Sequence, residues 1–219
     1  MVNKLVPYYQ EEDITIYNAD CLEIMKDIPD KSIDLVLTDP PYNVKKDFLN
    51  DDLSRVEFID FIKKFINESL RVSKLLLFFT GSKFLPEVMS GVNQYIDILY
   101  FYKPYANNKG IITDWNYCDL IIACGDKPIK KPKNNFYQYL KFPTLEGKLH
   151  PCPKPTEIMK KLVLDFTENN QTILDPFLGS GTTLVAAKEL GRNAIGIEIS
   201  EKYCAIAKRR LINTIKPLF

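Results

Sequence analysis

Short continuous apolar runs alternate along this chain with longer segments in which apolar residues recur every three or four positions. Ile33-Asp34-Leu35-Val36-Leu37 and Leu75-Leu76-Leu77-Phe78-Phe79-Thr80 are runs of the first kind. They are too short for helices and bounded by polar residues, as strands buried on both faces are. Ile14 to Tyr17 alternates, and Tyr95–Tyr102, Leu120–Cys124, Thr172–Leu174 and Ala194–Ile197 are further expected strands. Helical spacing covers Cys21 to Ile28, and Ser54 reads as the N-cap of a long amphipathic helix with Val56, Ile59, Ile62, Phe65, Ile66 and Leu70 on one face. A short helix is expected to end near Val92, and another runs from Pro155-Thr156-Glu157 to about Phe166. A helix from Thr182 to Leu190 is closed by Gly191, and Ser200 caps a last one over Glu201 to Ile212. Asn43–Asp52, Lys103–Gly110 and Lys127–Lys148 have the polar, Pro, Asn and Lys content of loops. Strands alternating with helices predict an α/β fold, a doubly wound and mostly parallel sheet, and 219 residues suffice for one domain with a real core.

In such a sheet ligands collect outside the carboxyl ends of the strands, and Asp20, Asp39, Asp175 and Glu198 all fall at that rim. Asp39 lies in the rigid polar turn Thr38-Asp39-Pro40-Pro41-Tyr42-Asn43. Its two prolines remove two N–H groups, so the carbonyls there lack local donors and are free to accept from a ligand. A carboxylate, a carbonyl and an aromatic ring within four residues could hold a flat ring bearing an amino group. Downstream, Asp175-Pro176-Phe177-Leu178-Gly179-Ser180-Gly181-Thr182-Thr183 joins a strand to a helix through a glycine turn, and Glu198 ends the next strand. That arrangement suits a nucleoside whose ribose hydroxyls meet the acid. The turn is not Gly-x-Gly-x-x-Gly and lacks a Walker lysine. An adenosine without phosphates therefore fits better than a dinucleotide or triphosphate, and S-adenosylmethionine is the common cofactor of that type.

Composition narrows the setting. With 46% hydrophobic and 26% charged residues and no apolar run of membrane-span length, the expectation is a soluble cytoplasmic protein that meets no membrane. The amino terminus, Met1 to Asp20, holds acids and polar residues where a signal peptide has an apolar core. Cys21, Cys118, Cys124, Cys152 and Cys204 form no Cys-x-x-Cys pair and His150 is the sole histidine, so neither a disulfide framework nor a metal site is expected. The net charge of +1 hides a basic middle stretch from Lys103 to Lys154, where Lys127, Lys130, Lys131 and Lys133 cluster and aromatics are interleaved. Such a surface suits phosphates and bases.

Asp39-Pro40-Pro41-Tyr42, His150-Pro151 with Lys154-Pro155, and Asp175 to Thr182 occur in that order, and together they resemble the amino-group DNA methyltransferases of the permuted β arrangement. The resemblance spans Ile14 to Leu211. It implies a circularly permuted methyltransferase sheet with a small inserted recognition region, S-adenosylmethionine as cofactor and double-stranded DNA as partner. Asp39 and the Pro40 carbonyl would hold the target amine, Pro41 would stiffen the turn, and Tyr42 would stack on the flipped base. Phe177, Gly179, Ser180, Gly181, Thr182 and Glu198 would cradle the cofactor with Asp175 and Asp39, with Asp20 near its adenine and His150, Lys154 and Pro155 closing over its other side. Lys45 and Lys46, with Lys127, Lys130, Lys131 and Lys133, are the candidate nucleic-acid contacts. One departure is His150-Pro151-Cys152-Pro153-Lys154-Pro155 where the family usually reads His-Pro-Thr-Gln-Lys-Pro, which loses two polar side chains.

A leading Asp more often accompanies adenine-N6 methylation in this family and a leading Ser cytosine-N4, so adenine is expected and cytosine-N4 is the alternative. Glutamine-directed enzymes usually lead with Asn. Pro151-Cys152 resembles the nucleophile dipeptide of cytosine-carbon enzymes, but it precedes the cofactor motif and has no Glu-Asn-Val companion. A catalytically silent nucleic-acid-binding subunit is the rival of another class, and the intact turns count against it. The short segment from Asp126 to Leu149 implies a short recognition sequence. It is compatible with a homodimer, a partner endonuclease or a specificity protein.

Overall fold

The computed structural model describes residues 6–43, 52–81, 85–90, 92, 94–109, 113–126, 136–138 and 154–215. Among these, nine strands form one sheet: β1 (Tyr9–Glu11), β2 (Ile14–Asn18), β3 (Leu35–Thr38), β4 (Leu75–Thr80), β5 (Tyr95–Lys109), β6 (Thr113–Gly125), β7 (Phe136–Gln138), β8 (Thr172–Asp175) and β9 (Asn193–Glu198). Their order is β1-β2-β9-β8-β3-β4-β6-β5-β7. The neighbours β2, β9, β8, β3 and β4 are mutually parallel, whereas β1 and β6 run against the strands they pair with.

Six helices cover both faces: α1 (Cys21–Lys26), α2 (Arg55–Val72), α3 (Leu85–Ser90), α4 (Thr156–Phe166), α5 (Thr182–Glu189) and α6 (Glu201–Ile212). Successive strand residues point to opposite faces, so a strand covered on both sides is apolar throughout. In β3, Leu35 and Leu37 pack with Ile158 and Leu162 of α4, Leu184 of α5 and Leu211 of α6, while Val36 joins Ile24 of α1 and Phe65 of α2 on the other face. In β4, Leu75, Leu77 and Phe79 likewise face one layer and Leu76 and Phe78 the other. The doubly wound, mostly parallel sheet is thus as expected from the run pattern. Among the described residues no helix is long and apolar enough to cross a membrane.

Several local expectations change. Ser54 does cap α2, in a full capping box with Glu57. The buried stripe of that helix, however, starts with Phe58, while Val56 is 77% exposed in the first turn. Lys103 to Lys109, expected as loop, continues β5 against a β6 that itself begins at Thr113 rather than Leu120. The pairing shifts register between Lys103 and Asn107, where Pro104 sits, and again before Lys109. Bulges of this kind let a strand carry a proline that cannot donate to the ladder. Phe136–Gln138, also expected as loop, is β7 and lies parallel to β5, and the Tyr137 hydroxyl donates to Asp165 of α4 at 2.6 Å. Ser200 stands at the N-cap of α6, but its side chain makes no capping bond.

Candidate active site

All four rim acids follow the carboxyl ends of parallel strands: Asp20 after β2, Asp39 after β3, Asp175 at the end of β8 and Glu198 at the end of β9. Because β3 and β8 are hydrogen-bonded neighbours, the Asp-Pro-Pro-Tyr turn and the glycine turn emerge side by side. Thr38, the residue before Asp39, ties them directly: its buried hydroxyl donates to Asp175 Oδ1 at 2.6 Å. The same oxygen accepts from the Phe177 N–H at 3.2 Å.

Asp175 is fully buried, and burial pushes its carboxyl up to about 6, against the opposing pull of the Thr183 and Thr38 hydroxyls and the Phe177 N–H. The folded state therefore binds more protons than the unfolded chain between about pH 4 and 6. This group's contribution to stability is fully present below pH 4 and is lost as pH rises through 6. Asp175→Asn keeps an acceptor for the Thr38 and Phe177 donors and removes the titration. Relative to wild type, it is expected to gain about 3 kcal/mol between pH 4 and 7, at about 1.4 kcal/mol per pKa unit. Denaturant titrations at several pH values measure this. A pH-independent difference would refute the buried ionisation.

In the Asp39 turn, Asp39 Oδ1 accepts from the Tyr42 hydroxyl at 2.5 Å, and Oδ2 accepts from Lys154 Nζ at 2.6 Å. Lys154 Nζ also lies 3.2 Å from the Tyr42 hydroxyl. Its ammonium stands over two ring faces, 5.2 Å from the Tyr42 centroid and 4.9 Å from that of Phe79. Lys154 is 9% exposed and Asp39 25%, a largely desolvated pair. Among the described residues no donor is bonded to the Pro40 carbonyl. Asn43 clamps the far side of the turn, donating through Nδ2 to the Leu53 carbonyl at 2.9 Å and accepting the Leu53 N–H at 2.8 Å.

In the glycine turn, Gly179 and Gly181 have φ of 52° and 85°, and Gly181 is the N-cap of α5. Glu198 bridges two turns: Oε2 accepts the Gly179 N–H at 2.8 Å and Oε1 the Ser200 N–H at 2.9 Å. Burial raises its carboxyl above the usual range, and these N–H groups oppose that. Each oxygen still has a lone-pair direction for a hydroxyl donor. Asp20 is exposed and caps α1 by accepting the Leu22 N–H at 2.7 Å. Phe177 is turned edge-on to Phe61 and Phe65 of α2, at 5.9 and 5.1 Å. The side chains of Ser180 and Thr182 are taken up by Arg210 of α6, whose Nη1 lies 3.0 and 3.1 Å from their hydroxyl oxygens and 2.9 Å from the Ser180 carbonyl. Pro155 is the N-cap of α4 and makes no side-chain capping bond.

Lys154, expected to close over the cofactor, is brought to the Asp39 turn. His150, Lys45, Lys46, Lys127, Lys130, Lys131 and Lys133 lie outside the described residues. Thr38 and Arg210 were not anticipated. The signal for Arg210 is faint, a position three after Ala207 and so on the helix face that meets the glycine turn.

A glycine turn, an acid on the adjacent strand end and a doubly wound sheet are the features expected of an S-adenosylmethionine-dependent methyltransferase. A family model described as DNA methylase, N6_N4_Mtase, matches residues 93–209, and the chain belongs to this family. It is 30% identical to the type II methyltransferase M.HinfI of Haemophilus influenzae, over 93% of this chain and 69% of that one. With the type II methyltransferase M.HpaI of Haemophilus parainfluenzae it shares 27% identity, over 88% and 72%. Among solved structures, PvuII DNA methyltransferase (cytosine-N4-specific) superposes with a TM-score of 0.79 at 20% identity, covering 93% of this chain and 88% of that one. M1.HpyAVI in complex with S-adenosylmethionine gives 0.69 at 29% identity, over 90% and 98%. The chain is an S-adenosylmethionine-dependent amino-group methyltransferase of DNA.

Proposed function

We propose that the protein methylates the exocyclic N6 amine of adenine in double-stranded DNA. The observation that carries this is an aspartate, not a serine, at the head of the Asp-Pro-Pro-Tyr turn, beside the glycine turn. Asp39 and the Pro40 carbonyl accept the two amine hydrogens. This draws the nitrogen out of conjugation with the purine and aims its lone pair, so positioning supplies most of the rate. Pro41 holds the turn rigid, and the Tyr42 ring stacks on the extruded base. S-adenosylmethionine, when bound, supplies a methyl on a sulfonium that departs as a neutral thioether. Glu198, Gly179, Phe177, Asp175 and Asp20 line its nucleoside side. Ser180, Gly181 and Thr182 shape the turn, and His150 and Pro155 complete the far wall. Nuclease digestion of treated DNA followed by mass spectrometry tests the reading: N6-methyladenine is expected, and N4-methylcytosine in its place would make this the cytosine enzyme.

One domain carries three functional parts in this scheme: residues 14–102 as the catalytic half, about 103–149 as a basic recognition region, and 150–219 as the cofactor-binding half. Lys45, Lys46, Lys127, Lys130, Lys131 and Lys133 contact phosphates, which give affinity without sequence information. A short or degenerate recognition sequence follows, compatible with a homodimer or a partner protein.

Glu198→Ala is expected to weaken S-adenosylmethionine by roughly 1.5–3 kcal/mol, the range for hydrogen bonds to a charged group. Glu198→Gln should not rescue it. The Gly179 and Ser200 N–H groups each need an acceptor, and an amide turns a donor toward one of them. Calorimetric titration of both variants measures this, and wild-type affinity in either would take Glu198 out of the cofactor site.

A further inference from the structure

We propose that the Lys154 ammonium is the resident occupant of the amine-binding place in the DNA-free enzyme, and that an incoming base must displace it from Asp39 and Tyr42 before methyl transfer. This rests on the amine-holding role proposed for Asp39. The partners of Lys154 are those a flat amino-bearing base would need. Asp39 Oδ2, at 2.6 Å, is a carboxylate acceptor for an N–H. The Tyr42 and Phe79 rings, with the ammonium at 5.2 and 4.9 Å from their centroids, are the apolar faces against which a base would lie. An ammonium is a protonated amine. It satisfies an amine site while offering no lone pair to a methyl donor.

Electrostatics argue that this pair belongs to the resting state and not to the transfer. As the target nitrogen accepts a methyl it gains positive charge, which a carboxylate beside it stabilises. A lysine on the same carboxylate cancels that field and sets a like charge a few ångströms from the developing cation. Without DNA the balance reverses, because an unpaired and largely desolvated carboxylate is costly and the lysine compensates it. The location also permits exchange. Lys154 precedes α4, ahead of Pro155, so its long side chain can withdraw without unwinding a turn of helix. Free small amines, which lack stacking and phosphate contacts, would not displace the ammonium, so the occupant restricts the site to amines delivered on DNA.

The test compares wild type, Lys154→Met and Lys154→Arg on DNA from a methylation-free strain, with labelled S-adenosylmethionine. Methionine has a similar length and can keep the ring contacts without a charge. Lys154→Met is expected to lower KM for DNA at least fivefold, and Lys154→Arg to bring KM back toward wild type. A KM that rises would make Lys154 a DNA contact. A kcat that falls tenfold at constant KM would give it a part in the transfer, and unchanged constants would make the contact incidental. Each of these overturns the proposal. A double-mutant cycle in thermal unfolding, Lys154→Gln with Asp39→Asn, reads the ion pair without any activity. Coupling is expected, and additivity also overturns the proposal. A wild type that leaves the DNA unmethylated defeats the amine-holding reading instead, so the two failures are distinguishable.

Discussion

Asp39→Ala is expected to lower the single-turnover rate of methyl transfer by about 10²–10³, the usual loss when one preorganised charge-stabilising contact is removed. The variant loses an acceptor for the target amine and the group that stabilises its developing charge. Cofactor affinity should stay near wild type, because Glu198 and the glycine turn make no hydrogen bond to Asp39. A second effect comes from Lys154. Without the carboxylate its ammonium, 9% exposed, loses its ion-pair partner at 2.6 Å. Removing one member of a buried pair costs about 3–5 kcal/mol, and the partial exposure of Asp39 brings this to about 1–3 kcal/mol. Rapid-quench assays at saturating enzyme, with a melting curve alongside, separate the two effects. Turnover near the wild-type rate would take Asp39 out of the chemistry.

Gly181→Ala should cost much stability for a single methyl. Gly181 has φ of 85°, a left-handed conformation that costs a residue with a Cβ about 1–2 kcal/mol. A Cβ there would also stand 2.8 Å from Ala207 Cβ and 3.1 Å from its Cα, in the middle of α6. Backbone cannot swing away as a flexible side chain can, and overpacking of this kind adds about 1–3 kcal/mol. The total, about 2–5 kcal/mol, corresponds to a fall in Tm on the order of 10 °C for a domain of this size. S-adenosylmethionine affinity should fall with it, since the same turn carries the Gly179 N–H that Glu198 accepts. Adding Ala207→Gly removes the nearest clashing atom but leaves the φ strain. The double variant should be less destabilised than the sum of the singles. Additive losses would show that the clash is relieved by other means.

What the residue pattern made legible follows from how far each signal reaches along the chain. β3, β4 and β8 were readable because strands covered on both faces are continuous apolar runs, and the four rim acids follow from where those runs stop. The capping box at Ser54 is a signal three residues long. Lys103 to Lys109 read as loop because its composition is poor for a strand. Pairing with β6 overrides that preference, and the register shifts absorb Pro104. The bonds that join the two turns were not legible. Thr38 meets Asp175 across 137 positions and Lys154 meets Asp39 across 115, and nothing local in either segment encodes the other. An arginine within a helix reads as solvated charge, yet Arg210 reaches Ser180 and Thr182, and Lys154, expected over the cofactor, reaches Asp39.

The strand order has a consequence for synthesis. β2 pairs on its inner side with β9, and β3 on one side with β8, both from the last quarter of the chain. While the polypeptide is still leaving the ribosome, both early strands hold an open apolar edge, the kind that recruits other chains. Such long-range pairings also close slowly. The methyl-transfer centre therefore assembles only after β8 and β9 have emerged, and a nascent chain arrested before residue 172 lacks the strand that sets its two turns side by side.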